Sequence, residues 1–253
     1  MYKYVTNKVA LGLKRMGLWG RFLVDTGRGA REVSVWVGLT AVQMRRIGVQ
    51  SLPIALFIAV FTGIVLALLS SYTLTGAVPM YFVGTLVGKA VMVELAPVLT
   101  GLALAGRVGA NIAAELGTMR VTEQVDALET LAYDPFSFLV VPRVLAATLM
   151  FPVVIALAMA TGVVSGWFTA INLLDLSTVE FVKGLRLFHE FKDIWYGLVK
   201  AMSFGFVIAL IGSRNGLTTR GGAEGVGLST MQAVVLSAQM ILVLDAFWAV
   251  VLL

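Results

Sequence analysis

The chain contains no cysteine and a single histidine, His189. The first absence excludes a disulfide scaffold, a thiolate metal site and a cysteine nucleophile. The second leaves no room for a cluster of imidazole ligands. Charge is scarce as well. Of 253 residues only 13% are Asp, Glu, Lys or Arg, about half the share usual in soluble domains. Hydrophobic residues make up 59%, and mean hydropathy is +0.93. So few charges cannot cover so much apolar surface in water. A disordered chain, a fibrous protein and an ordinary cytosolic enzyme are therefore excluded. Phosphate-binding loops are missing too. Gly84-Thr-Leu-Val-Gly88-Lys89-Ala90 is one residue short between its glycines and has no Ser or Thr after the lysine. It reads instead as small residues for close helix packing. The glycine-rich stretch from Gly221 to Gly227 follows no strand, so it makes no dinucleotide site. No Ser/His/Asp or paired-carboxylate arrangement suggests catalysis, and ATP-driven work would need an ATPase on another chain.

What is present is apolar sequence in long, charge-free runs. No charged side chain occurs over 47–88, 144–174 or 225–244, and each run reaches the ~20 residues that cross a bilayer as a helix. The chain reads as an all-α integral membrane protein with five spans, near 51–73, 80–112, 136–172, 193–213 and 232–253. Pro79 and Pro135 suit first-turn positions, with Asp134 as an N-cap. The second and third spans exceed one bilayer thickness, and Pro97, Pro142 and Pro152 permit the bends that this implies.

Nine of the 19 Lys and Arg residues precede position 47. No aromatic-interleaved patch accompanies them, so nucleic acid is not expected as a partner. Residues 1–46, with Leu11, Met16, Trp19, Phe22 and Leu23 among the basic groups, suit an amphipathic helix in the headgroup plane. No compact apolar region with a small-residue cleavage site precedes the first span, which argues against a cleaved signal. A cytoplasmic N-terminus puts fourteen basic residues inside and leaves only Lys183, Arg186 and Lys192 in an outer loop. Ser177-Thr-Val-Glu180 fits a capping box, predicting a short outer helix through about His189.

Four charges fall at membrane depth: Lys89, Glu94, Lys200 and Asp245. Each costs about 2.5–3.5 kcal/mol or more unless it faces a cavity or a partner. At a 1.5 Å rise, Glu94 and Asp245 each lie about 20 Å from a span end and Lys200 about 10 Å from the outer face. Glu94, Lys200 and Asp245 are thus candidate substrate-binding residues around a central or outward-leaning polar cavity. The alternative is buried ion pairs that hold the bundle together, the preferred reading for Asp245. Pro97, beside Glu94, removes the helical bond to the Val93 carbonyl, which suits either a ligand site or a bend in an overlong helix.

Between the second and third spans, residues 116–130 read as an amphipathic helix with an acidic face at Glu123, Asp126 and Glu129; a solvated loop helix is the plain alternative. Around it, Glu94-Leu-Ala-Pro97, Ala105-Gly-Arg107-Val-Gly109, Ala114-Glu115-Leu-Gly-Thr-Met119, Thr122-Glu-Gln124-Val-Asp-Ala-Leu128 and Asp134-Pro135 occur in unbroken order. Pro142-Arg143, the Gly221–Gly227 stretch and Leu244-Asp245 continue the pattern. Together, over about 50–250, these closely resemble the MlaE (YrbE-like) permease family of ABC-type lipid transporters. Gly227-Leu-Ser-Thr230 departs from it, since relatives often have a basic residue and paired threonines there.

The resemblance implies a homodimeric, multi-pass permease of the bacterial inner membrane, with the N-terminal interfacial helix as one domain and 47–253 as the other. It implies no cofactor in this chain, ATP being bound by a cytoplasmic ABC ATPase. Residues 116–130 would be the coupling helix, with Arg120, Glu123, Gln124 and Asp126 toward the ATPase. Glu94 and Lys200 would lie in a lipid pocket near the dimer axis. Phospholipid would be the substrate, a periplasmic MCE-domain protein a partner, and outer-membrane lipid asymmetry the process served; some systems add a STAS-domain protein. A rival reading is an ion-coupled secondary carrier of an amphiphile using Glu94 and Asp245, which would follow membrane potential without an ATPase. The lack of an internal repeat weighs against it. A lipid-modifying membrane enzyme and a structural anchor are further rivals, the first opposed by the missing nucleophile–base pair.

Overall fold

In the computed structural model, which describes residues 2–74, 78–187 and 190–252, every regular element among the described residues is helical. The basic segment forms α1 (Tyr2–Gly29) and α2 (Val33–Ile47), and a tight turn at Val49–Ser51 leads into α3 (Leu52–Thr73). A continuous rod follows, made of α4 (Phe82–Ala90), α5 (Ala96–Leu104) and α6 (Ala110–Val121). Wide π-type turns at Val91–Leu95 and Ala105–Gly109 join its parts. Then come α7 (Gln124–Thr130), α8 (Val141–Leu173) entered through a third π-type turn at Phe136–Val140, α9 (Thr178–Leu187), α10 (Phe191–Leu217) and α11 (Gly222–Leu252). Among the described residues, five stretches are long and apolar enough to cross a bilayer: Val33–Thr73, Phe82–Val121, Phe136–Leu173, Phe191–Leu217 and Gly222–Val251. The chain is a multi-pass membrane protein.

The helix ends follow local chemistry. Asp134 accepts the backbone N–H groups of Phe136 (3.1 Å) and Ser137 (3.2 Å), capping the entry to α8 as its position suggested. At α9 the expected capping box forms: the Glu180 N–H donates to Ser177 Oγ at 3.2 Å, and the Ser177 N–H donates to Glu180 Oε2 at 3.1 Å. The Ser177 hydroxyl, with that N–H, holds the Glu180 carboxyl below the usual range. The described part of α9 stops at Leu187, so the end near His189 lies outside the described residues. Pro79 is not in the first turn of a span. Its carbonyl closes a turn by accepting the Phe82 N–H at 3.1 Å, and α4 begins there.

Two boundaries differ more. The last helix starts at Gly222, not near 232. Gly221 and Gly222 take φ of 91° and 66°, a region open to glycine without a Cβ penalty. They make a sharp corner, and the rest of the glycine-rich stretch is already helix. The first candidate span likewise begins inside the basic segment, because α2 runs almost unbroken into α3.

α3 lies along α8, α8 packs on α10, and α10 contacts α6 and α11. One apolar core joins Leu104, Phe151, Phe204 and Ile208 at 0% exposure, and a second joins Val83, Val87, Ile155 and Phe181. The N-terminal segment is docked on the first core: Phe22 lies 5.3 Å from Phe136, and Trp19 carries the Arg214 guanidinium 4.1 Å over its ring. At the other end α4 and α9 cross closely. The Thr85 hydroxyl donates to the Gly184 carbonyl at 2.6 Å, and a Cβ on Gly84 would meet the Phe181 carbonyl. The Gly84/Gly88 pair thus serves helix packing, as small residues do where backbones approach. Gly84→Leu should destabilise the protein by about 1–3 kcal/mol through overpacking. Thermal unfolding in detergent checks this, and an unshifted midpoint would refute the close crossing.

Candidate functional site

Three of the four intramembrane charges converge. Lys200 sits on α10, Glu94 in the first π-type turn, and Asp245 on α11. The Lys200 ammonium donates to Glu94 Oε2 at 2.6 Å and to Asp245 Oδ1 at 2.8 Å. Its side chain is 1% exposed, against 15% for Asp245 and 41% for Glu94. A desolvated ammonium is tolerable only with compensating charge and hydrogen bonds; here two carboxylates supply both, and the cluster carries a formal charge of −1. One turn on, Trp248 Nε1 donates to Ser203 Oγ (3.0 Å), whose hydroxyl donates to the Lys200 carbonyl (2.7 Å), tying α11 to α10. Pro97 lies in the first turn of α5, directly after the π-type turn that carries Glu94. A proline here lacks an N–H and crowds the preceding turn, so the chain widens by one residue.

With α11 starting at Gly222, the depth of Asp245 changes. At 1.5 Å per residue it lies roughly 35 Å from Gly222 and about 10 Å from Leu252. Lys200 is about 14 Å from Phe191 on the same rise. The triad is therefore nearer the end of the bundle that bears α9. Lys89 does not join it: it is exposed and has no ion-pair partner among the described residues. The ion pairing considered for these residues is thus present in the structure. Lys200 is sealed and engaged, while Glu94 remains open. Leu95, which follows Glu94 in the chain, and Leu99 line an apolar groove of about 370 Å³ with Phe61, Val65 and Leu69 of α3.

The segment 116–130 is not one helix. α6 ends at Val121, the Thr122 hydroxyl donates to the Thr118 carbonyl at 2.8 Å, and Glu123 takes a left-handed φ of 60° before α7. The β-branched Val121 and Thr122 favour this stop. Arg120 forms a close ion pair with Asp126 across the break, and Gln124 Nε2 donates to Thr122 Oγ1 at 3.1 Å. Buried Val125 anchors α7, leaving Glu123, Gln124, Asp126 and Glu129 exposed.

A second charged cluster had no role assigned from sequence. Glu115 Oε2 accepts Arg143 Nη2 at 3.0 Å, and its Oε1 accepts Arg46 Nη1 at 3.2 Å. Arg143 is 4% exposed and also donates to the Leu139 carbonyl at 2.6 Å. This carboxylate pins α2, α6 and α8 together. In the sequence, Glu115 and Arg143 stood out as parts of the recurring motifs, and Arg46 and Arg143 as borders of charge-free runs, but nothing there paired them.

Comparison with known proteins places this arrangement. The family model described as "Permease MlaE" matches residues 40–251. A probable ABC transporter permease of Synechocystis is 41% identical over 210 residues, covering 82% of this chain and 79% of its own. One from Rickettsia prowazekii is 41% identical over 209 residues, covering 83% and 81%. The Arabidopsis thaliana chloroplast protein TRIGALACTOSYLDIACYLGLYCEROL 1 is 34% identical over 206 residues, 81% of this chain and 59% of that one.

Proposed function

The chain belongs to the MlaE permease family, and from that premise we propose that it is the membrane half of an ATP-driven phospholipid transporter, working as a homodimer. As an ABC permease subunit it has no catalytic site of its own; ATP is bound by a separate ATPase. The observation that carries the lipid reading is the half-open carboxylate of Glu94 at membrane depth, on a rod that also lines an apolar groove through Leu95 and Leu99. Apolar walls with a few placed polar groups suit an amphiphile. The Arabidopsis relative, which bears the name of a diacylglycerol lipid, supports the same substrate class.

In this reading Glu94 faces the headgroup, and the triad's surplus negative charge favours a headgroup that brings a donor or ammonium. Lys200 and Asp245 position Glu94. The excess of Lys and Arg at the end opposite α9 supports a cytoplasmic face there, in a bacterial inner membrane. α1 lies along that face, and the α9 end meets a periplasmic MCE-domain protein; a STAS-domain regulator would join from the cytoplasm. The ATPase docks on the exposed acidic surface of Glu123, Gln124 and Asp126, with Arg120 holding α7 against α6. Motion there reaches the triad through the rod Phe82–Val121, whose two wide turns are places where it can flex.

Co-purification with the ATPase and ATP-dependent lipid transfer between vesicles test this. Glu123→Arg with Asp126→Arg should cut ATPase recovery at least several-fold and abolish transfer. The swap Arg120→Asp with Asp126→Arg restores the internal ion pair but reverses the surface, so it should lose the ATPase too. Undiminished recovery in both variants would end the docking assignment.

A further inference from the structure

A separate crevice of about 580 Å³ lies between α1, α10 and α11, near the end of α10 opposite the triad. From Lys200 to Arg214 the helix rises about 21 Å, so the two sites belong to different leaflets. Arg214 is half-buried and has no carboxylate within ion-pair distance among the described residues. Its guanidinium lies over the Trp19 ring at 4.1 Å. A guanidinium held over a ring keeps its charge and its N–H donors, which suit bidentate recognition of phosphate. Beside it Asn215 is 7% exposed, and its amide nitrogen has no hydrogen-bond partner. That nitrogen is itself buried, a costly unsatisfied donor that a ligand meets once the amide turns toward the crevice. Exposed Gln232 of α11 adds a second amide to the lining.

The rest of the crevice is apolar and open. Met231, Val235 and Leu236 are 59%, 50% and 38% exposed, spaced to lie along one side of α11. We propose that this crevice binds the phosphodiester headgroup of a membrane lipid at Arg214, Asn215 and Gln232, with an acyl chain along α11. The site is net positive where the triad is net negative. It rests on the chain's lying in a bilayer and not on the transport reading, which would stand or fall by lipid transfer alone.

The full-length protein in detergent micelles, titrated with phosphatidylglycerol carrying brominated acyl chains, tests this through quenching of tryptophan fluorescence. Comparison with Trp19→Phe isolates the Trp19 share. Arg214→Gln should weaken this quenching about tenfold, the scale of a lost charge-assisted hydrogen bond. Gln232→Leu, at an exposed position, should weaken it several-fold without affecting folding. Brominated diacylglycerol, which lacks the phosphate, should bind no better than phosphatidylglycerol binds Arg214→Gln. Equal quenching by the two lipids, or no effect of either variant, would overturn the proposal. So would full competition by inorganic phosphate, which would make this a free-anion site. Cross-linking of two copies through Gln232→Cys with Trp19 shielded from lipid would overturn it as well, by placing a second subunit in the crevice.

Discussion

Lys200→Met should destabilise the folded protein by about 3–5 kcal/mol, the cost of breaking a buried ion pair from one side. The side chain is of similar length and loses its charge and its N–H donors. What remains is two carboxylates that had shared one ammonium at 2.6 and 2.8 Å, without compensation in a site that includes a largely buried Asp245. The effect should exceed that of Glu94→Gln, because Glu94 is 41% exposed and water screens what it loses. Combining Lys200→Met with Glu94→Gln and Asp245→Asn removes every charge at once and should recover most of the stability, since neutral replacement of a buried ionic group is often tolerated. That triple variant should still fail in lipid transfer if Glu94 meets the headgroup. Unfolding midpoints in detergent and transfer rates in vesicles separate the two outcomes. A methionine variant as stable as the parent would show that the triad does not hold α10 to its neighbours.

Glu115→Ala should cost about 3 kcal/mol or more, by the same one-sided loss at the other cluster. Glu115 itself is 41% exposed, but the partner it would abandon, Arg143, has a side chain only 5% exposed. Arg143 would retain the Leu139 carbonyl as acceptor with no counter-charge. Arg46→Ala should cost less than about 1 kcal/mol, because that guanidinium is 54% exposed and its pair behaves as a surface salt bridge. The asymmetry is the test. If both substitutions shift unfolding equally, the load is not carried by the buried arginine.

Much of this was readable without coordinates. Hydrocarbon admits few charges, so the uncharged runs marked the spans, and the costly exceptions at Glu94, Lys200 and Asp245 marked the polar site. Asp134 and the Ser177–Glu180 box were legible because caps act over three or four residues. The break at Thr122–Glu123 was harder, since the hydrophobic pattern continues through it and nothing local demands a left-handed glutamate. The start of α11 was misplaced because glycines read as loop, whereas only Gly221 and Gly222 are needed for the corner.

Composition and charge spacing alone determined that this chain lives in a bilayer, which groups there are expensive, and, through its motifs, to which family it is similar. Those properties depend on solvent and on neighbours within a few residues. Tertiary structure alone decided that Lys200 is sealed between two carboxylates while Glu94 stays open, that Glu115 joins three helices, and that Arg214 lies over the Trp19 ring without a counter-charge among the described residues. Each of these depends on residues from about 30 to nearly 200 positions apart, whose meeting is fixed by how long apolar rods pack and cross.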